Sequence, residues 1–286
     1  MAVTLRYRAV FVSDLHLGST AAHAEAAGDF LKRIDCDTLY LVGDIIDMWR
    51  LKQRWWWPES HNRVVRRILK LAKQGTRVVY IPGNHDDAAR DYAGLTFGGV
   101  EIHRDYSHTT LDGKRLLVMH GDEADVVVRH HRVLSAVGSV AYDNLVTISR
   151  HYSRVRAMLG QEHWSLSQYL KLRVKKACMH IARFESTVEE QARLRGFDGV
   201  ICGHIHKAEQ RIGADGMMYF NCGDWVESGT ALVEHTDGTM QIVDGIAMVS
   251  DLRRKHPHSY LDEPETTGAA RELTEDDLAA LSTIQL

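Results

Sequence analysis

The sequence predicts an α/β fold carrying a helical insertion, on three observations. Apolar strand-like runs alternate with amphipathic helical stretches through the first half of the chain. Residues 124–195 then change character, with no proline, little glycine and apolar residues at helical spacing. Strand patterns return at Asp198. Strand and helix in alternation point to a largely parallel sheet with helices on its faces.

In order, residues 8–13 read as a strand, 23–33 as a helix, 38–42 as a strand, 59–74 as an amphipathic helix and 77–81 as a strand. Asp112-Gly113 has the chemistry of a tight hairpin turn between strands at 107–111 and 114–119. After the helical stretch, 198–202 is a strand, and Asp215-Gly216 and Asp237-Gly238 mark turns between short strands. Residues 1–256 are expected to form one domain, with the insertion at about 124–195. Residues 257–286 are expected to form an acidic, loose tail with one helical segment at 274–281, whose Glu275, Asp276 and Asp277 suit a helix N-terminus.

Composition narrows the function. The 286 residues are 44% hydrophobic and 26% charged, the profile of a globular protein. A net charge of -3 provides no global basic field, which argues against bulk nucleic-acid binding. No apolar run reaches bilayer-spanning length, and MAVTLRYRAVFVSD enters a strand without the apolar region of a secretory leader. The four cysteines show no C-x-x-C spacing, so a reduced, cytoplasmic protein is expected. The 17 histidines are conspicuous, because several sit beside Gly, Asp or Asn at strand ends, and imidazole is the commonest transition-metal ligand.

Five segments share one design, a hydrophobic strand ending in a metal-capable cluster. They are VFVSDLHLG (10–18), LYLVGDIID (39–47), VVYIPGNHDD (78–87), LLVMHGDE (116–123) and VICGHIHKAE (200–209). Taken singly, most have a plainer explanation. D-x-H is commonly a surface turn, G-D a helix cap, and a lone His before Gly a hydrogen-bonded loop residue. Five together in one α/β chain call for a shared site at the carboxyl ends of the strands. Asp14 and His16, two residues apart, would point the same way on an extended backbone, as would His204 and His206.

These motifs, DLH, GDIID, GNHD, MHGD and GHIH in that order, resemble those of the calcineurin-like metallophosphoesterases over roughly residues 8–225. The resemblance implies a β-sandwich flanked by helices and a two-metal site. By position, Asp14, His16 and His206 would hold one metal, Asn84, His120 and His204 the other, and Asp44 would bridge them. His85 would stay unligated and face the leaving-group oxygen, and Asp47 would orient a neighbouring ligand. Imidazole, carboxylate and amide donors without thiolate suit Mn²⁺ best, with Fe²⁺ or Zn²⁺ as alternatives.

The substrate clues lie elsewhere. Residues 126–195 hold twelve arginines and lysines, among them Arg129, Arg132, Arg154, Lys171 and Lys175, against five acids. With the interleaved apolar residues they read either as a solvated basic face or as a cap over an anionic substrate with an apolar tail. Such a cap could also rest on anionic lipid. Trp55, Trp56 and Trp57 follow GDIID and cannot all face one core, so at least one is expected to be exposed. Within the superfamily the chain looks most like the UDP-2,3-diacylglucosamine diphosphatase group, which hydrolyses a lipid-linked nucleotide pyrophosphate at the cytoplasmic face of the inner membrane. It departs in reading GNHD for G-N-R-D and in extending beyond Ser250, which places it on a sister branch. The expected partners are thus a lipid-linked phosphorylated substrate and the membrane surface, with no nucleic acid; spare apolar helix surface is compatible with a homodimer. Two alternatives remain: a phosphodiesterase of nucleotides or nucleic acid, and a non-catalytic scaffold of the same fold.

Overall fold

The structure is a computed structural model and describes residues 4–124 and 166–255, with 166–177 as backbone alone. The chain runs β1 (Leu5–Val12), α1 (Ala24–Arg33), β2 (Ile34–Val42), α2 (Met48–Gln53), α3 (Glu59–Lys73), β3 (Arg77–Ile81), β4 (Thr96–Phe97), β5 (Val100–Ile102), β6 (Tyr106–Thr109) and β7 (Arg115–Val118). It continues through α4 (Leu166–Leu194), β8 (Gly199–Cys202), β9 (Glu209–Ile212), β10 (Met218–Asn221), β11 (Thr230–Glu234), β12 (Met240–Asp244) and α5 (Gly245–Lys255). Two sheets form, ordered β12-β11-β1-β2-β3-β5-β4 and β6-β7-β8-β10-β9. The central pairs β1–β2, β2–β3, β7–β8 and β8–β10 are parallel, and the outer strands β12, β4, β6 and β9 pair antiparallel.

Strands that are apolar at successive positions must bury both faces. Val10, Val12, Leu39, Leu41 and Val78 turn to the helix side, where they pack with Phe30, Leu31, Val64, Ile68 and Val249. Their neighbours Phe11, Tyr40, Val42, Val79 and Ile81 turn the other way and meet Leu116, Val118, Ile201 and Phe220 of the second sheet. That sheet's other face, with Leu117, Val200 and Tyr219, packs against Phe184, Val188 and Ala192 of α4. The layers are therefore helices, sheet, sheet, helix. The expected β-sandwich flanked by helices is the observed architecture.

Each helix follows from its pattern. In α3, His61, Val64, Ile68 and Leu71 are buried at alternating spacings of three and four, one face of the helix. Glu59 in its first turn and Lys70 and Lys73 in its last complement the helix dipole. The expected strand at 38–42 begins earlier, at Ile34, because β1 pairs with it from Leu5↔Ile34 onward and draws the polar IDCD segment into the ladder. Helices α2 and α5 and the short strands β4 and β5 escaped the pattern reading. The turn segments Asp112-Gly113, Asp215-Gly216 and Asp237-Gly238 fall as expected between β6 and β7, β9 and β10, and β11 and β12. Of the insertion, α4 is the described part. The tail and its helix at 274–281 lie outside the described residues.

One buried polar network ties the two sheets together. The Glu234 side chain on β11 has no solvent exposure. It accepts from Arg8 Nη1 at 2.7 Å and from the Leu111 backbone N–H at 2.9 Å, and it meets His108 Nε2 of the other sheet at 2.9 Å. His108 Nδ1 in turn meets the Tyr40 hydroxyl at 3.2 Å. Burial alone would raise the Glu234 pKa, but the His108 hydrogen bond, the Leu111 N–H and the charges of His108 and Arg8 outweigh it and hold the pKa down. A carboxyl depressed in the folded state stabilises above its unfolded pKa and ceases to as pH falls through the folded one. Glu234→Gln is expected to lower unfolding free energy by about 1–3 kcal/mol at pH 7. The gap between wild type and variant in urea denaturation should shrink as pH drops below about 4.3, the ordinary glutamate value.

Candidate metal centre

The parallel strands β1, β2, β3, β7 and β8 deliver their carboxyl ends to one edge, and the five motifs meet there. Asp14 and His16 follow β1, Asp44 follows β2, Asn84 and His85 follow β3, His120 follows β7, and His204 and His206 follow β8. Among the described residues, three side-chain groups could hold a metal ion: Asp14, His16 and His206; Asp44, His120 and His204; and His16, Asp47 and His85. Among the described residues, positive φ outside glycine occurs at Asp14 (52°), His16 (47°), Asp44 (52°), His204 (71°) and His206 (54°), all in these groups. Strained backbone persists where surrounding structure over-determines it, and it clusters at functional sites. The finding also corrects the reasoning for the D-x-H and H-x-H pairs. Asp14 and His16 meet in one group while His204 and His206 fall in two, and all four sit on left-handed backbone rather than on a continuing extended strand.

Asp44 stands between the groups. Its Oδ2 lies 3.7 Å from His16 Nε2 and 3.8 Å from His85 Nε2, while its Oδ1 lies 3.5 Å from His120 Nε2. On one side, Asp14 Oδ1 is 3.1 Å from His206 Nε2 and 3.6 Å from His16 Nε2, and the two histidine Nε2 atoms are 3.3 Å apart. On the other, the His120 Nδ1 donates to the Val42 carbonyl at 3.0 Å, which leaves Nε2 as the ligating atom. That Nε2, together with Oδ1 and Nδ2 of Asn84, is buried without a hydrogen-bond partner. Orphaned buried polar atoms are costly, and His120 Nε2 lies beside the Asp44 carboxylate. The donor set therefore fits a divalent cation.

The electrostatics agree. Burial opposes charge on His16, yet hydrogen bonds with Asp14 and Asp47 and the charge of Asp44 raise its pKa to about 10. Burial likewise opposes charge on His120, and Asp44 overrides it, again to about 10. Burial would raise Asp14 and Asp44, but the facing histidines hold both well below the usual carboxylate range. The carboxylates pull positive charge into a buried pocket, which is the demand a metal cation meets.

Packing around the site is close. A Cβ at Gly83 would lie 2.3 Å from Asp44 Oδ1 and 2.6 Å from His120 Nε2, and one at Gly43 would lie 2.2 Å from His120 Nδ1. Asp47 spans two histidines, with Oδ1 at 2.8 Å from His85 Nδ1 and Oδ2 at 3.3 Å from His16 Nδ1, and it also caps α2 through the Arg50 N–H at 3.0 Å. His85 stacks on Trp49, the ring centroids 4.3 Å apart, and Trp49 is 38% exposed.

Sequence reasoning missed Asp86 and Trp49. Fully buried, Asp86 accepts from the N–H groups of Gly83 (2.6 Å), Asp44 (3.3 Å), Ile45 (2.7 Å) and Ile46 (3.2 Å), so one carboxylate sets both the GD and GNHD loops. The available signal was the first Asp of GNHDD, three residues after a glycine that opens a turn. Trp55 is 74% exposed, while Trp56 and Trp57 are half-buried against His61. Arg129, Arg132 and Arg154 lie outside the described residues, and Lys171 and Lys175 are placed as backbone on α4. Nearer its end, Arg193 pairs with Glu190 and Asp215, and Arg195 with Asp105, so these two charges of the insertion are spent on local ion pairs.

A family model described as calcineurin-like phosphoesterase matches residues 7–208. The chain belongs to this family. As a calcineurin-like phosphoesterase it is a hydrolase of phosphoester bonds, which removes the scaffold alternative, and the family implies divalent metal ions. It is 26% identical to a UDP-2,3-diacylglucosamine hydrolase of Porphyromonas gingivalis over 85% of this chain and 98% of that one. It is 27% identical to the enzyme of that name from Aliivibrio fischeri, over 80% of this chain and 94% of the other. The structure of an archaeal phosphodiesterase overlaps it with a TM-score of 0.37 at 14% identity, over 82% of this chain and 98% of that one. Among the described residues, no helix is long and apolar enough to cross a membrane. Asp86→Ala, which strips four N–H groups of their acceptor, is expected to weaken Mn²⁺ binding about 10–100-fold, measured by titration of metal-stripped protein.

Proposed function

We propose that this phosphoesterase is a dinuclear-metal pyrophosphate hydrolase acting on a lipid-linked nucleotide such as UDP-2,3-diacylglucosamine, releasing UMP and a lipid phosphate. One observation carries the two-metal part: Asp44 presents a different oxygen to each of two metal-capable groups. In this reading Asp14, His16 and His206 would hold the first ion, Asn84, His120 and His204 would hold the second, and Asp44 would serve both. Mn²⁺ is the preferred occupant, since the donors are nitrogen and oxygen without sulfur. Such an ion pair supplies a nucleophile at neutral pH and neutralises charge on the transferred phosphoryl group.

The protein's own groups do the rest. His85 gives Nδ1 to Asp47 at 2.8 Å, so its ring is fixed and Nε2 is the atom left for the leaving-group oxygen. Trp49 against the ring restricts its tilt. Asp47, with both oxygens engaged by histidines, serves as their holder rather than as a ligand. The two relatives that span nearly the whole chain support the lipid-nucleotide substrate. The exposed Trp55 and the basic insertion support contact with an acylated, anionic molecule at the inner-membrane surface.

The test is UMP release from UDP-2,3-diacylglucosamine by metal-stripped protein with and without Mn²⁺. Release should require the metal, and Asp44→Asn should abolish it by weakening both ions together. His85→Ala should lower kcat by about 10²–10⁴-fold with bound metal unchanged. Loss of both metals in His85→Ala would overturn its assignment. No UMP release, with an aryl phosphodiester still cleaved, would keep the hydrolase and transfer the search to nucleotide or other lipid phosphates.

A further inference from the structure

Among the described residues, a cavity of about 600 Å³ lies between α1, the start of α3 and α5. None of its lining residues belongs to the metal-capable groups. Two helices open onto it at their N-termini, α1 through Ala24 and Glu25 and α3 through Pro58 and Ser60. Neither has a side-chain cap, so their first-turn N–H groups and the positive ends of two dipoles face the same space. The acid in the first turn of α3, Glu59, is turned onto its own helix, where it accepts from Asn62 and Arg66.

A buried donor joins them. His61 is 1% exposed and stands in the cavity wall. Its Nδ1 accepts the Gly18 N–H at 3.0 Å, which sets the tautomer and leaves Nε2 as an N–H donor with no hydrogen-bond partner among the described residues. Burial lowers the His61 pKa, keeping the ring neutral. Arg253 of α5 adds a cation, shared with Asp29, and Glu25 is the acid in the wall. Half-buried Trp56, Pro58 and Ile246 and buried Val249 form an apolar wall, and His23, Ser60 and Ser250 complete the lining. Donors at one side and an aromatic-aliphatic wall at the other suit an oxyanion attached to an apolar group.

We propose that this cavity is a second binding site, separate from the metal centre, for an amphiphilic phosphate: a phosphate monoester oxyanion on the helix N-termini and His61, with its apolar substituent against Trp56 and α5. The site stands apart from the substrate reading, since it requires no turnover. It shares the loop after β1 with the metal centre. Gly18 is two residues beyond His16, and His23 at the other end donates its N–H to the Trp225 carbonyl while Trp225 donates to the Asp14 carbonyl.

The test is calorimetric titration of the full chain with dodecyl phosphate below its micellar concentration, against dodecanol and inorganic phosphate. Dodecyl phosphate should bind at least about tenfold more tightly than either, because both parts of the site are used. Ser250→Trp, which fills the cavity from an exposed position on α5, should weaken it about tenfold with thermal unfolding unchanged, and Arg253→Ala, titrated well below its own unfolding temperature, should weaken it about tenfold as well. Asp44→Asn should leave it intact. Loss in Asp44→Asn with full binding in Ser250→Trp would place the ligand in the metal centre and overturn the proposal. Equal affinity for dodecanol would reduce the cavity to an apolar groove, equal affinity for inorganic phosphate would reduce it to an anion site, and either result would overturn the amphiphile assignment.

Discussion

Asp44 turns one oxygen toward His16 and His85 and the other toward His120, from a position almost closed to solvent. A carboxylate there is tolerable only if positive charge surrounds it, and five loops are shaped to supply that charge. The loops pay in backbone conformation: five non-glycine residues adopt positive φ, a state that side chains ordinarily avoid. Glycine does what side chains cannot. At Gly43 and Gly83 any Cβ would collide with His120 or Asp44, so the approach of loop to imidazole depends on its absence.

What holds the loops is mostly backbone. Asp14 N–H reaches the Gly43 carbonyl, His16 N–H the Asp44 carbonyl, and Gly203 N–H the His120 carbonyl. Asp86 then ties the GD and GNHD loops with a single carboxylate. Burial and the nearby Asp44 charge raise the Asp86 pKa, so this acid is held against an electrostatic cost by the N–H groups it accepts. Its role is to place neighbours; the side chains that gather into the metal-capable groups are Asp14, His16, Asp44, Asp47, His85, His120, His204 and His206.

The double-sided burial of the strands is what lets the site exist. Sheets facing each other across Phe11, Tyr40, Ile81, Leu116, Val118 and Ile201 cannot slide without exposing a core, and the Glu234–His108–Tyr40 network adds a polar lock between them. Ligands on loops from both sheets therefore keep their spacing. The same layering leaves the outer helices free to build a second concavity, because α1, α3 and α5 turn one face to the first sheet and pack against one another beside it.

Much of this was legible in the linear chain. Apolar runs such as VVYI and LYLV announce strands buried on both faces, and polar clusters at their ends announce a site at the carboxyl edge, because local patterning carries those signals directly. The motif series also pointed to the family. Tertiary structure alone decided the rest. Asp86 and Asp87 are indistinguishable in sequence, yet only Asp86 turns inward to the loop amides, since that depends on a strand-end geometry formed by partners some forty residues away. Asp47 looked like half of a G-D-x-x-D motif, and only packing shows it spanning His16 and His85. The left-handed backbone at Asp14 and His206 reverses the extended geometry that their spacing suggested. Local sequence sets which groups are available; the register of the strands and the contact of distant loops set where they point.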